Sequence, residues 1–279
     1  MITYPNVKLN LGLNVLRRRP DGYHDLETLF VPYPELTDTL EIIHADDWSR
    51  TGAQIQASGI ATAQGITEDG KLMITIARKE GVDWDPLKDL TVKAYQLLAE
   101  DYKLPPVKIY LQKNAPVGAG LGGGSGDCAF ALRMISELAE LQLTDEQLVA
   151  YAARLGSDCA FFVYNRPMFG EGRGEILTLW EKADLLKGYR IELVIPEGVA
   201  VSTADAYRGI VPAVPAIPLK EVLRRPLAQW KELLVNDFEK TVFAKYPVLA
   251  QKKQELYDRG AVYAAMSGSG SALFGLFSA

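Results

Sequence analysis

Thiols and imidazoles are scarce in this chain, which has two cysteines and two histidines in 279 residues. Cys128 and Cys159 are too few for a disulfide framework. They have no metal-ligand spacing, and His24 and His44 make no His-Glu-x-x-His pair, so neither a disulfide framework nor a zinc site is indicated. Two unpaired thiols fit a reducing, cytoplasmic location. No apolar run approaches the roughly twenty residues that cross a bilayer. Met1-Ile-Thr-Tyr-Pro-Asn lacks the basic start and apolar core of a signal peptide, which predicts a chain without a leader. Positive charge is also in deficit: 30 Lys and Arg against 35 Asp and Glu give a formal net charge of -5. That balance argues against a surface built to neutralise nucleic-acid phosphates, and Arg17-Arg18-Arg19 and Arg224-Arg225 are isolated basic spots. Repeats and low-complexity tracts are missing. At 48% hydrophobic and 23% charged, the composition is that of a soluble protein large enough for two modest domains.

Glycine, by contrast, is concentrated in one place. Pro116-Val-Gly118-Ala-Gly120-Leu121-Gly122-Gly123-Gly124-Ser125-Gly126-Asp127 holds six glycines in twelve residues. Ahead of it, Val107, Ile109 and Leu111 alternate with Lys108, Tyr110 and Gln112, the period of a two-faced strand. Behind it, Phe130, Met134, Leu138 and Leu141 recur at helical spacing, with Ser125 and Asp127 as short polar residues that suit a helix start. Strand, glycine loop and helix in that order aim backbone N–H groups and a helix dipole at one point, which suits a phosphate; the competing reading is a flexible surface loop. Gly118, Gly120 and Gly123 satisfy the dinucleotide pattern formally. The acidic strand end expected about twenty residues later is missing, because Thr144 and Gln147 form a capping box there and open another helix. A Walker loop fails as well, since its lysine position is Gly124.

Residues 7–15 read as a strand with Val7, Leu9, Leu11, Leu13 and Val15 on one face and Lys8, Asn10, Gly12 and Asn14 on the other. The second face is either solvated or a site, and Gly12 suggests the close approach of a ligand. The strand turns at Asp21-Gly22 and returns through residues 26–31, which leaves Tyr23 and His24 at the mouth of a hairpin. Further strands are expected at 39–44, 53–58 and 72–76, a loop at 83–89 and a helix at 90–102. After the helix expected at 144–155, Gly156 is a helix stop and Asp158 a lone carboxylate, either a helix cap or a catalytic group. The tract 169–179 reads as a glycine-rich turn into a strand, 189–195 as a strand and 203–207 as a short helix. Pro212, Pro215 and Pro218 form a stiff connector. Helices are expected at 219–224, 230–243 and 248–258, then two strands at 261–265 and 272–277 around the small-residue loop Ser267-Gly-Ser-Gly-Ser271. This order suggests an α+β protein of two domains.

Three stretches, Asn6-Val-Lys8-Leu-Asn10-Leu, residues 116–127 and Met266-Ser-Gly-Ser-Gly-Ser271, together resemble the motifs of the GHMP kinases, the superfamily of galactokinase, homoserine, mevalonate and phosphomevalonate kinases. Arg19-Pro-Asp-Gly-Tyr-His24 most resembles the branch whose acceptor is a cytidyl-linked methylerythritol of the non-mevalonate isoprenoid route. The resemblance implies a ribosomal protein S5-like N-terminal domain with a left-handed crossover, residues 1–164, and a ferredoxin-like C-terminal domain, residues 165–279, with the active site in the cleft between them. It implies transfer of the γ-phosphoryl of ATP, with Mg²⁺, to the acceptor's 2-hydroxyl. It makes Asp158 the base, Lys8 its charged partner and Asn10 a contact to the erythritol end. Tyr23, His24 and Tyr207 fall on the cytosine-binding positions, residues 116–126 on the phosphate loop, and Asp89 and Leu90 on the adenine pocket. Nucleic acid and membrane are not expected partners, and the chain is expected to be a monomer or homodimer. Another GHMP kinase of a non-nucleotide alcohol, or a nucleotide-binding protein without kinase activity, remains open. Two departures stand out. Asp127 puts an acid close to the phosphate loop, and the chain ends soon after its last strand, as a truncated or naturally shortened relative would.

Overall fold

The computed structural model describes residues 1–182 and 184–279. Two compact units divide the chain. The first comprises Met1–Val7, Tyr33–Val117 and Gly122–Asn165, and the second Lys8–Pro32, Gly118–Leu121 and Arg166–Ala279.

The first unit is built on a five-stranded sheet in the order Ile2–Thr3, Thr39–His44, Val107–Lys113, Leu72–Arg78, Thr62–Ile66. Its neighbours run antiparallel except Leu72–Arg78 and Val107–Lys113, which run parallel with Leu72 opposite Val107. A parallel pair needs a crossover, and the helix Leu90–Asp101 lies within it. The alternation expected of 107–113 is observed, with Val107, Ile109, Leu111 and Lys113 buried. The helices Gly123–Leu138, Asp145–Leu155 and Cys159–Tyr164 pack with Leu90–Asp101, and the Thr144–Gln147 capping box is formed. Residues 53–58 are not a strand. They belong to the helix Arg50–Ser58, whose start is fixed by two groups that a period count does not see. Ser49 Oγ accepts from Gly52 N, and the buried Glu41 carboxylate accepts from Ser49 Oγ at 2.6 Å and Thr51 N at 2.8 Å. The strand Thr62–Ile66, absent from the expectations, pairs with Leu72–Arg78.

In the second unit, Tyr189–Val194, Leu273–Ser278 and Tyr263–Met266 form a three-stranded antiparallel sheet with Leu273–Ser278 central. A four-stranded sheet orders Asn6–Arg18, His24–Thr37, Met168–Glu171 and Ile176–Leu179. Leu13 and Val15 of its first strand enter a core with Phe238, Val242, Leu249, Leu256 and Met266. The helix expected at 230–243 is two, Trp230–Leu233 and Phe238–Lys245. Between them the backbone straightens to bond the strand Asn6–Arg18, with Leu13 N donating to Val235 O at 2.9 Å and Asp237 N to Leu13 O at 2.8 Å. Both faces of that strand are covered: Lys8, Asn10 and Asn14 are 3 to 4% exposed, which rules out a solvated face. Gly12 answers to packing rather than a ligand, because a Cβ there would lie 2.5 Å from Leu219 Cδ1 and 2.7 Å from Leu234 Cδ1.

Candidate active site

In the second unit, residues of all three sequence motifs share one hydrogen-bond cluster. Buried Lys8 sends its ammonium to Asn10 Oδ1 and to Gly120 O, the latter at 3.0 Å. Asn10 Nδ2 donates to Thr28 Oγ1 at 3.0 Å, and that hydroxyl donates to Gly12 O at 2.6 Å, so the amide orientation is set. Ser267 Oγ also donates to Gly120 O, at 3.1 Å, and accepts from Asn10 N at 3.3 Å. Gly120 stands at φ +77°, and a Cβ there would lie 2.1 Å from Ser267 O. Strain at positive φ and a clash with backbone add up. Gly120→Ala is expected to lower stability by about 2 to 4 kcal/mol, read from the urea midpoint; an unchanged midpoint contradicts this close approach.

The loop 266–271 is itself held by a residue that sequence reading passed over. Asn236, 4% exposed, donates through Nδ2 to Met266 O and Gly268 O, both at 2.8 Å, and its Oδ1 accepts from Phe238 N at 3.0 Å. Glu239 Oε1 accepts from Met266 N at 2.8 Å. Asn236-Asp237 was the available signal, since such a pair inside a helical pattern marks a cap rather than an interior.

In the glycine loop Gly118, Gly120 and Gly122 have φ of 75°, 77° and 70°. The helix Gly123–Leu138 starts directly after Gly122, earlier than expected, and no side chain caps it. Ser125 and Asp127 therefore lie inside the helix. The first intrahelical bond, Gly126 N to Gly122 O at 2.9 Å, leaves the N–H groups of Gly123, Gly124 and Ser125 without an acceptor in the helix, the arrangement that binds anions. Pro116 and Leu121 flank these glycines, and Lys8 N donates to Leu121 O at 2.9 Å. Asp127 does not face the loop. It is 2% exposed and turned inward, where Lys113 Nζ donates to its Oδ2 at 2.5 Å and also to Asp38 Oδ2.

Asp158 immediately precedes the helix Cys159–Tyr164 but makes no side-chain bond to that helix's N–H groups, so the cap reading is not met. The next residue, Cys159, and Cys128 are both buried and form no disulfide. Asp89 caps the helix Leu90–Asp101, its Oδ1 accepting from Thr91 N at 2.9 Å and its Oδ2 from Trp84 Nε1 at 3.3 Å, which places Leu90 at the first helical position.

The aromatic positions come together in the second unit. His24 stacks on Tyr207 with centroids 4.8 Å apart and planes 18° from parallel, and Tyr207 meets Phe238 edge-on. Burial, helped by the charge of Arg18, pushes the His24 imidazole below its usual pKa. Tyr23, 56% exposed, carries the Arg173 guanidinium over its ring at 4.9 Å.

The family descriptions "GHMP kinases N terminal domain" and "GHMP kinases C terminal" match residues 89–166 and 218–279. The 4-diphosphocytidyl-2-C-methyl-D-erythritol kinase of Bacteroides fragilis is 50% identical over 279 residues, covering 100% of this chain and 92% of its own. The enzyme of that name from Bacteroides thetaiotaomicron is 46% identical, covering 99% of this chain and 92% of its own. A crystal structure of 4-(cytidine 5'-diphospho)-2C-methyl-D-erythritol kinase superposes with a TM-score of 0.74 at 29% identity, over 99% of this chain and 90% of that one. The mevalonate kinase of Methanococcus jannaschii shares the fold, with a TM-score of 0.63 at 14% identity over 99% of this chain and 90% of that one. The glycine loop, the clustered motifs and the relatives agree: this chain belongs to the GHMP kinases.

Proposed function

We propose that the protein transfers the γ-phosphoryl of ATP to the 2-hydroxyl of 4-diphosphocytidyl-2-C-methyl-D-erythritol, giving the 2-phosphate and ADP. The observation that carries this reading is the 50% identity, along the whole chain, to a relative of that name. In the step, the acceptor oxygen bonds to the γ-phosphorus as the bond from that phosphorus to the β–γ bridging oxygen breaks. The hydroxyl proton passes to Asp158, and ADP leaves with the electron pair. Such chemistry asks the protein mainly for positioning and for stabilisation of charge. Lys8, aimed by Asn10 and Gly120 O, supplies positive charge, and Asn10 contacts the erythritol end. The loop 116–126 holds the phosphates on its N–H groups, and Asp89 and Leu90 form part of the adenine pocket. Tyr23, His24 and Tyr207 receive the cytosine.

Among the described residues no three His, Cys, Asp or Glu side chains come together as a metal cage. Mg²⁺ carried on the nucleotide needs only one or two protein oxygens, and the Ser125 hydroxyl in the first turn of the helix Gly123–Leu138 is a candidate. When bound, the ion supplies charge neutralisation on the phosphates. Among the described residues no helix is long and apolar enough to cross a membrane, and a soluble substrate pair favours a cytoplasmic enzyme.

The test is ADP release from ATP and Mg²⁺ with the cytidyl compound, mevalonate, homoserine and galactose offered separately. Turnover with the cytidyl compound alone is expected. Turnover with another alcohol keeps the kinase and discards the cytosine pocket, and no turnover with any acceptor overturns the reading.

A further inference from the structure

The hairpin formed by Met168–Glu171 and Ile176–Leu179 has Arg173 in its turn. Leu26 N donates to Gly172 O at 2.7 Å, which docks this turn onto the strand His24–Thr37, two residues from His24. The docking puts the Arg173 guanidinium over Tyr23, with Cζ 4.9 Å from the ring centroid. Glu175 lies beside it: Oε1 is 3.5 Å from Arg173 Nε, and Arg173 N donates to Oε2. Among the described residues Glu175 is its one carboxylate partner. A guanidinium over an aromatic face is a planar fork of N–H donors able to meet a phosphate with two parallel bonds. The side chain is 38% exposed, so that fork is reachable.

The surrounding charges sharpen the point. Arg17 pairs with Asp25, and Arg19 with Asp21 and Asp25, so these two cations are compensated. Arg18 is exposed, and its charge acts on His24. The stacked pair His24–Tyr207 and the Arg173–Tyr23 pair are carried by adjacent residues of the chain, and together their chemistry matches a base followed by a phosphate chain.

We propose that Arg173 is a specificity-determining residue that reads the diphosphate of the nucleotidyl substrate from the face of Tyr23. The assignment rests on the reading that Tyr23, His24 and Tyr207 receive cytosine. It differs from a purely structural role, in which Arg173 would only stiffen Tyr23 and treat cytidine and cytidine diphosphate alike.

The experiment compares native protein, Arg173→Gln and Arg173→Lys, using the cytidyl-methylerythritol substrate, with cytidine and cytidine diphosphate as competing ligands. Native protein is expected to bind the diphosphate more tightly than cytidine. Arg173→Gln should lose roughly tenfold of that preference and raise the KM for the cytidyl substrate by a similar factor. Its kcat and KM for ATP should stay within about twofold. Arg173→Lys keeps the charge without the planar fork and should recover only part of the loss. An unchanged ratio of diphosphate to cytidine binding in Arg173→Gln overturns the assignment, even if the KM rises. Failure of the native protein to bind either cytidyl ligand overturns the cytosine reading and this assignment with it.

Discussion

Asp158→Asn is expected to lower turnover by at least about a hundredfold while the KM for ATP stays within about twofold. The amide is nearly isosteric with the carboxylate but cannot accept the acceptor hydroxyl's proton, so only the chemical step should suffer. Asp158 is half-buried and makes no bond to the N–H groups of the helix that it precedes, which removes the commonest structural reason for an aspartate in that place. A urea midpoint measured alongside separates loss of the base from loss of the fold. Single-turnover kinetics with saturating ATP separate the two steps, and native-like turnover would reject Asp158 as the base.

The second large effect concerns stability. Lys113→Met is expected to cost about 3 to 5 kcal/mol, because it removes the one ammonium to which the buried carboxyl groups of Asp38 and Asp127 are both bonded. The side chains of Lys113, Asp38 and Asp127 are 4%, 1% and 2% exposed. Asp38 is otherwise well held, with Oδ1 accepting from Asn114 N at 2.6 Å and Ala115 N at 2.8 Å. Asp127 is not, since its buried Oδ1 has no partner. Urea unfolding reads the loss, and a change below about 1 kcal/mol would mean that the network contributes little. Because Lys113 ends the strand before the glycine loop and Asp127 lies in the helix after it, surviving Lys113→Met protein should also bind ATP more weakly.

The same network predicts a pH dependence of known sign. Burial foremost pushes the Asp127 carboxyl well above the usual range; the Lys113 ammonium opposes the shift, and the charge of Asp38 adds to it. A raised folded pKa means that the folded state holds the proton more tightly than the unfolded one. Its stabilising contribution is therefore present at acid pH, and is lost as pH rises from the ordinary carboxylate range through the raised value. Asp127→Asn cannot titrate. Its stability relative to the native protein should improve as pH rises above the ordinary carboxylate range, and a flat difference would contradict the shift.

These residues also show what sequence reading could reach. Glycine spacing between a period-two run and a helical run located a loop that feeds a helix, and Thr144 with Gln147 located a helix start, because both signals are local. Lys8 and Asn10 looked solvated on pattern alone, since the partners that bury them, Gly120, Thr28 and Ser267, lie far away in the chain. Resemblance, rather than periodicity, marked them as site residues. Asp127 was visible as an acid beside glycines, but its inward turn depends on Lys113 and Asp38. The helix Arg50–Ser58 was misread because Ala53, Ile55 and Ala57 alternate like a strand, while Glu41, which anchors its start, sits on a different element. Asn236 was missed because a helical run of apolar residues continues on both sides of it.

The long-range bonds of the strand Asn6–Arg18 carry a consequence for how the chain is made. Leu13 is bonded to Val235 and Asp237 and packs with Met266 and Leu273, which are synthesised more than two hundred residues later. During translation the second unit cannot close until almost the whole polypeptide has emerged, so its nascent first strand must wait with apolar Leu13 and Val15 uncovered. A fragment spanning 165–279 is expected to be insoluble when expressed alone, and to become soluble when residues 1–32 are supplied with it.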